Sequence, residues 1–379
     1  IPANLPPAPQ VFFGRSEIVE SIVQQLSTTG QSHVAILGPP GIGKTSVALA
    51  VLHHHDVLSS FRDNRHYISC EALSTADSLV VFLGHYLGIE GKASQSQIVA
   101  VFRRRPRSLI VFDNFETPWE SAQERCKAEE LLSRLADVPE LSLLLTLRGA
   151  ERPSGIAWKR PCLPPLAAID YEAAKKTFVA VSDTAEDDIF LPKLLEELDY
   201  VPLAVTLMAN MCQHTSCEAL LAQWQEDKTK MLTRGFDSRL SSVEISIEVS
   251  ISSERLRRTP LAIRILQILS LLPDGVLTSE LPTMLYGDGA QLPAAISTLR
   301  QVTLIYVEHG SGRLRSLSPI REYIQLHNPL DGAALHHLQL YFFELTKSVD
   351  DSGTYRDKEV LNRIQSQLMN IFTVLLNTL

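Results

Sequence analysis

Short apolar runs alternate with amphipathic stretches from Val11 to about Cys162. "HVAILG", "HYISC", "SLIVFD" and "LSLLLTL" are short and apolar on both faces, the pattern of parallel strands covered by helices. Between them "TSVALAVLHHH", "SLVVFLGHYLG" and "KAEELLSRLADV" repeat their apolar positions at helical spacing. The alternation predicts an α/β domain with a parallel sheet over residues 11–165, after a Pro-rich extended lead-in at 1–10.

Past "RPCLPPL" the strand signal stops. Residues 166–237 read as a small helical domain built from "YEAAKKTFVAV", "FLPKLLEELD", "PLAVTLMANMC" and "CEALLAQWQED". From 238 to 328, helices at "PLAIRILQILSLL", "ELPTMLY" and "LPAAISTLRQV" precede two strand candidates, "TLIYVEH" and "RLRSLS", which flank the turn signal "GSG". Three helices and a hairpin predict a winged helix. Residues 329–379 are amphipathic and helical, the expected start of a helical, TPR-like region, with no repeat visible inside the chain.

Composition narrows the function classes. A chain of 379 residues is long for one core and predicts two or three domains. Its net charge of -8 argues against general nucleic-acid binding, which needs surplus Lys and Arg. No apolar run reaches the roughly 18–20 residues that span a bilayer, so no membrane partner is expected. Five scattered cysteines fit reduced thiols and a cytoplasmic location better than a disulfide framework. Cys212 and Cys217 have no companion pair for zinc. The sequence begins at Ile1 without a signal peptide and stops inside a helical pattern. It is therefore expected to be a piece of a longer protein, with effector and sensor domains outside it.

"GPPGIGKTS", Gly38 to Ser46, fits G-x4-G-K-[ST], with a strand before it and a helix after it. Gly41 and Gly43, with Ile42 between them, let backbone N–H groups turn toward phosphate. The helix N-terminus beginning at Lys44, Thr45 and Ser46 adds partial positive charge. Lys44 is expected on the β- and γ-phosphates of ATP or ADP, and Thr45 on Mg²⁺. Asp113, ending "SLIVFD", is the second expected Mg²⁺ contact; its other reading is a strand-end turn aspartate.

Together these motifs resemble the STAND class of signalling ATPases, the NB-ARC-like and NACHT-like modules of intracellular receptors and apoptotic regulators, especially fungal multidomain versions. The resemblance covers Val11 to about His327. "FFGRSEIVESIVQQL" resembles the family's opening motif, implying Phe13, Gly14 and Arg15 near adenine. "LLLTLRG" resembles the sensor strand, implying that Arg148 faces the γ-phosphate. "YVPLAV" resembles the G-L-P-L motif, implying Pro202 against adenine. The resemblance further implies a sensor strand between the phosphate-loop and Asp113 strands. It also implies a nucleotide clamped by three domains, and a cycle from a closed ADP state to an open, self-associating ATP state.

Two positions depart from the family pattern. Asn114 stands where a second acid commonly follows the magnesium aspartate; an amide orients water but cannot take its proton. Glu116 is the alternative base, or a solvated loop glutamate beside Trp119. Either reading predicts slow turnover. Ser318 stands where a histidine contacts the ADP β-phosphate in the family, and it reads equally as an N-cap followed by Pro at the first helical position. Arg321 or His327 could compensate for the missing histidine.

"HHHD", His53 to Asp56, reads as a helix C-terminus, since adjacent helical positions point about 100° apart and chelate poorly. "RRRPR", Arg103 to Arg107, reads as a solvated turn, with a subunit contact as the alternative. Trp119, Trp158 and Trp224 read as packing residues. The function expected is an ATP/ADP-dependent switch that hydrolyses slowly and forms a homo-oligomer with ATP. The alternative is an ATP-dependent DNA-binding regulator or initiator-like AAA+ ATPase using the winged helix. "LPAAISTLRQV", with one Arg and no Lys, and the wing "EHGSGRLR" are thin for DNA. Asn114 argues against a fast ATPase motor.

Overall fold

The computed structural model describes residues 5–28, 30–119, 122–182, 184–233, 242–285, 291–302, 304–308, 310–347 and 358–376. The chain divides into two compact units, 1–173 and 174–379.

The first unit is a parallel α/β sheet. Its elements run α1 (Ser16–Ser27), β1 (His33–Leu37), α2 (Lys44–Leu52), α3 (His55–Phe61), β2 (Arg65–Ser69), α4 (Ala76–Tyr86), α5 (Gln95–Arg103), β3 (Ser108–Asp113), α6 (Glu116–Trp119), α7 (Ala122–Ala136) and β4 (Leu141–Leu147). The strand order is β1-β4-β3-β2, with all neighbours parallel. The strand of "LSLLLTL", β4, therefore lies between β1 and β3, the order that the resemblance implies.

Strands β1, β3 and β4 are buried on both faces, as their unbroken apolar runs require. β1 is at the sheet's edge in strand order, yet its edge is covered: Lys159 N donates to His33 O at 2.9 Å and Leu166 N to Leu37 O at 2.7 Å. β2 corrects the expectation of a strand apolar on both faces. Only His66 and Ile68 are buried in it, the alternation of a strand with one covered face.

The "HHHD" reading as a helix C-terminus holds for His53 alone. α2 ends at Leu52 with His53 as its C-cap, and His54 then caps a separate helix, α3, by accepting from Asp56 N at 3.3 Å. "RRRPR" is only half a solvated turn. Arg103 and Arg104 are exposed, but Arg107 Nη2 donates to Leu26 O at 2.9 Å and to the Thr28 carbonyl, and its guanidinium lies 4.8 Å from the Phe61 ring centroid. Arg105 Nη1 is 3.2 Å from His66 Nε2. Burial, and then the Arg105 charge, push the His66 imidazole down to about 4. Arg107 thus satisfies backbone carbonyls at the end of α1, while Arg105 packs against the His66 ring.

The second unit contains the expected helices Leu191–Glu197, Pro202–Cys212, Cys217–Thr233, Pro260–Ser270, Leu281–Met284 and Leu292–Gln301. Next comes a hairpin of β5 (Tyr306–Val307) and β6 (Leu314–Arg315), antiparallel, with Gly310 and Gly312 at positive φ in its turn. Val276 bridges Leu314 on the far side of β6. The chain continues in helices Ser318–His327, Gly332–Lys347, Lys358–Gln365 and Leu368–Ile371. The N-cap of the helix at Ser318 is Leu317, with Pro at one of the first two helical positions, so Ser318 is the first helical residue and not the cap. The Ser318 side chain lies outside the described residues. Among the described residues no helix is long and apolar enough to cross a membrane.

Candidate functional site

Ligand sites of open parallel sheets lie beyond the carboxyl ends of the strands. Here β1 runs into the Gly38–Ser46 loop, β3 ends at Asp113 and β4 is followed by Arg148. The order β1-β4-β3 makes these ends neighbours in the sheet.

The loop has the backbone that its glycines allow. Gly38, Gly41 and Gly43 have φ of 149°, 71° and 95°. Gly43 is the N-cap of α2 in the left-handed region, and a Cβ there would meet nothing within 4 Å. Gly43 is thus needed for its φ and not for room beside it. Lys44 is 8% exposed, and its Nζ donates to Gly38 O and Pro39 O at 2.9 Å each. The cation bridges the loop's own carbonyls. Ile42 is 2% exposed, and Ser46 follows in the first turn of α2.

Thr45 and Asp113 are brought together. Thr45 Oγ1 donates toward Asp113 Oδ1 and Oδ2, both at 3.0 Å. Two further hydroxyls aim at the same carboxylate: Tyr67 Oη at 2.7 Å from Oδ2 and Thr146 Oγ1 at 2.6 Å from Oδ1. Thr146 is fully buried and also accepts from Asn114 N at 2.9 Å. A hydroxyl and a carboxylate, both hard oxygen donors at one point beside a phosphate loop, suit Mg²⁺, which is commonly held by one or two carboxylates plus substrate phosphates. The residues therefore fit the ion.

Asn114 has φ 56°, a left-handed conformation that Asn tolerates better than most residues. That turn ends β3 and starts α6 at Glu116. The reading of Glu116 as a solvated loop residue is corrected: its side chain is buried, and Oε1 lies 3.1 Å from Arg148 Nε. Oε2 is buried with no hydrogen-bond partner. Burial raises the Glu116 carboxyl above the ordinary carboxylate range, against the lowering effects of its own backbone N–H, Arg148 and Lys44. Cys70, just past β2, donates its N–H to Asp113 O at 2.7 Å; burial pushes its thiol well up, with Asp113 and then Glu116 adding to the shift.

The opening motif is tied to the loop. Arg15 Nη2 donates to Ile42 O at 3.2 Å and to Ala167 O at 2.6 Å. Burial holds its guanidinium below its ordinary range, with Asp170 acting the other way. Gly14 has φ 71°, and a Cβ there would come within 2.5 Å of the Ala173 Cβ. Phe13 is 38% exposed. Pro202 and Ser318 belong to the second unit, as the first residues of their helices.

Tyr67 and Thr146 were missed by sequence reasoning. A polar residue breaking the apolar run "LSLLLTL" one position before its end was the available signal for Thr146. For Tyr67 the signal existed only once β2 was paired with β3.

The fold and the loop define a parallel-sheet α/β nucleotide site of the P-loop kind. Residues 6–151 match the family model nSTAND1, Novel STAND NTPase 1. The matched segment, less than half of the chain, contains the phosphate loop, Asp113, Glu116 and Arg148. No curated protein matches the chain. Among solved structures it is similar to a Walker-type ATPase of Pyrococcus abyssi, at 14% identity and TM-score 0.44, over 85% of this chain and 99% of that one. It is also similar to the Aeropyrum pernix ORC1 protein in complex with DNA, at 15% identity and TM-score 0.41, over 84% and 94%. A third likeness is to Drosophila ORC bound to DNA, at 13% identity and TM-score 0.36, over 83% and 87%.

Proposed function

We propose that the chain is an ATP/ADP-dependent switch that binds nucleotide with Mg²⁺, hydrolyses ATP slowly and controls self-association of a larger multidomain cytoplasmic protein. The observation that carries the reading is the convergence of Thr45 and Asp113, 3.0 Å apart beside the Lys44 loop. In this reading the loop N–H groups and Lys44 hold the β- and γ-phosphates, and Thr45 and Asp113 hold Mg²⁺. Bound there, Mg²⁺ would neutralise charge on the phosphate oxygens. Asn114 orients water, and Glu116, raised by burial, takes its proton. Arg148 faces the γ-phosphate. Phe13, Gly14 and Arg15 serve the adenine side.

Slow turnover is supported by two features of the site. The residue after Asp113 is an amide, and the nearest buried carboxylate is held by Arg148 at 3.1 Å. The small helical domain, the winged helix and the NB-ARC-like or NACHT-like kinship belong to this proposal, as does the homo-oligomer in the ATP state. The hairpin favours the switch over the DNA-binding alternative. Of its two arginines, Arg313 is buried and donates to Asp274 O at 3.0 Å and Gly275 O at 3.1 Å, while Arg315 lies 3.3 Å from Glu308. Neither is a free cation for phosphate.

Calorimetry with ATP and ADP, with and without Mg²⁺, tests the reading. Binding strengthened by Mg²⁺ and lost in Lys44→Ala is expected; a folded chain that binds neither nucleotide overturns it. A shift of duplex DNA at moderate salt would favour the alternative.

A further inference from the structure

We propose that Cys212 and Cys217 form a reactive dithiol that a small-molecule disulfide of the glutathione type converts into an intramolecular disulfide. The inference concerns the second unit alone and is independent of the nucleotide site.

Cys212 is the last residue of the helix Pro202–Cys212, and Cys217 is the first of the helix Cys217–Thr233. The turn between them is braced at both ends. Gln213 N and His214 N bond back to Asn210 O and Met211 O, and Gln213 Nε2 donates to Val181 O at 2.5 Å. Ser216 Oγ accepts from Ala219 N at 3.2 Å, and Ser216 O accepts from Leu220 N at 3.0 Å. The bracing leaves the two sulfurs 3.2 Å apart. A disulfide needs them about 1.2 Å closer.

The two thiols differ in a way that assigns their roles. Cys212 is partly exposed and Cys217 is buried. The hydrogen bond from Cys217 holds the Cys212 thiol below its ordinary range, with Thr184 helping and burial and Asp188 opposing; the same bond pushes Cys217 up. Cys212 is therefore the attacking sulfur and Cys217 the resolving one. The Cys212 thiolate attacks one sulfur of the disulfide RSSR. The RS–SR bond breaks, and the departing RS⁻ takes a proton. Cys217 then gives up its proton and attacks Sγ of Cys212, expelling the second RS⁻. Two protein thiols are oxidised by two electrons, and one RSSR becomes two RSH. The product links the end of one helix to the start of the next, and excess thiol reverses it.

The full chain carrying Cys126→Ser and Cys162→Ser, which removes the two exposed thiols, is incubated with oxidised glutathione and mapped without reduction. The expected product is lighter by two hydrogen atoms, carries no glutathione, yields a peptide cross-linked between Cys212 and Cys217, and reverts with dithiothreitol. In that background Cys217→Ser should trap a stable glutathione adduct on Cys212. A glutathione adduct that persists on Cys212 with Cys217 present overturns the proposal. So does a folded chain in which both thiols remain open to iodoacetamide after the incubation. If the serine variant fails to fold, mapping of its parent decides alone.

Discussion

Thr45 Oγ1 stands 3.0 Å from each carboxylate oxygen of Asp113, although 68 residues separate them in the chain. The contact joins the first turn of α2 to the end of β3, and it places two oxygen donors where one ion can share them. Asp113→Asn should therefore remove most of the Mg²⁺-dependent gain in nucleotide affinity while leaving binding without Mg²⁺ nearly unchanged. A contact to a charged group is worth about 1.5–3 kcal/mol, so the loss should be about 10- to 100-fold. Titrations with and without Mg²⁺ measure the difference; equal losses in both would mean that Asp113 supports the loop and not the ion.

Thr146 holds two neighbours of that site at once. Its hydroxyl donates to Asp113 at 2.6 Å and accepts from Asn114 N at 2.9 Å. Thr146→Val keeps the shape and removes both bonds, leaving a buried N–H and a less supported carboxylate. The unit should lose about 1–3 kcal/mol of stability by urea unfolding. Tyr67→Phe removes one donor to Asp113 and should cost less. If Thr146→Val is neutral, the hydroxyl does not fix the turn at Asn114.

The sheet was legible because its core strands have no exposed face. "SLIVFD" and "LSLLLTL" announced β3 and β4 to the residue, and "GPPGIGKTS" announced the loop. The approach of Thr45 to Asp113 was foreshadowed by their two motifs. Residues that act across the sheet were not. Tyr67 reaches Asp113 from β2, and nothing local in "RHYIS" states that it pairs with the Asp113 strand. Of the two readings of Glu116, the solvated loop residue arose because one helical turn, Glu116–Trp119, is too short to show a period. Its ion-pair partner, Arg148, is 32 positions away in the chain. The basic run read as solvent-facing because the carbonyls that Arg107 satisfies belong to another part of the chain.

Glu116 has a carboxyl raised by burial. A carboxyl whose folded pKa exceeds its unfolded value leaves the fold unpenalised at low pH, where both states are protonated. It weakens the fold as pH rises through the folded pKa. Glu116→Gln should thus gain stability over the parent at neutral pH, and the gap should close below the ordinary carboxylate range. Urea unfolding from acid to neutral pH tests this; a gap that widens toward acid contradicts it. If Glu116 is also the base, the same substitution should slow ATP turnover by about 10²- to 10⁴-fold, and unchanged turnover rejects that role.

Arg107 sits in a run of basic residues but differs from its neighbours in what it touches. It donates to Leu26 O at 2.9 Å, to the Thr28 carbonyl and to Gly30 O at 3.4 Å, and it lies over Phe61 at 4.8 Å. These contacts close the turn between α1 and β1 against β3. Arg107→Ala should cost about 2–3 kcal/mol, combining charged hydrogen bonds to backbone with a cation–π contact. Arg103→Ala and Arg104→Ala, at exposed positions, should each stay within about 0.5 kcal/mol of the parent. Thermal or urea unfolding of the three variants separates a structural staple from a charged patch. Three equal and small effects would return Arg107 to the solvated turn that the sequence suggested.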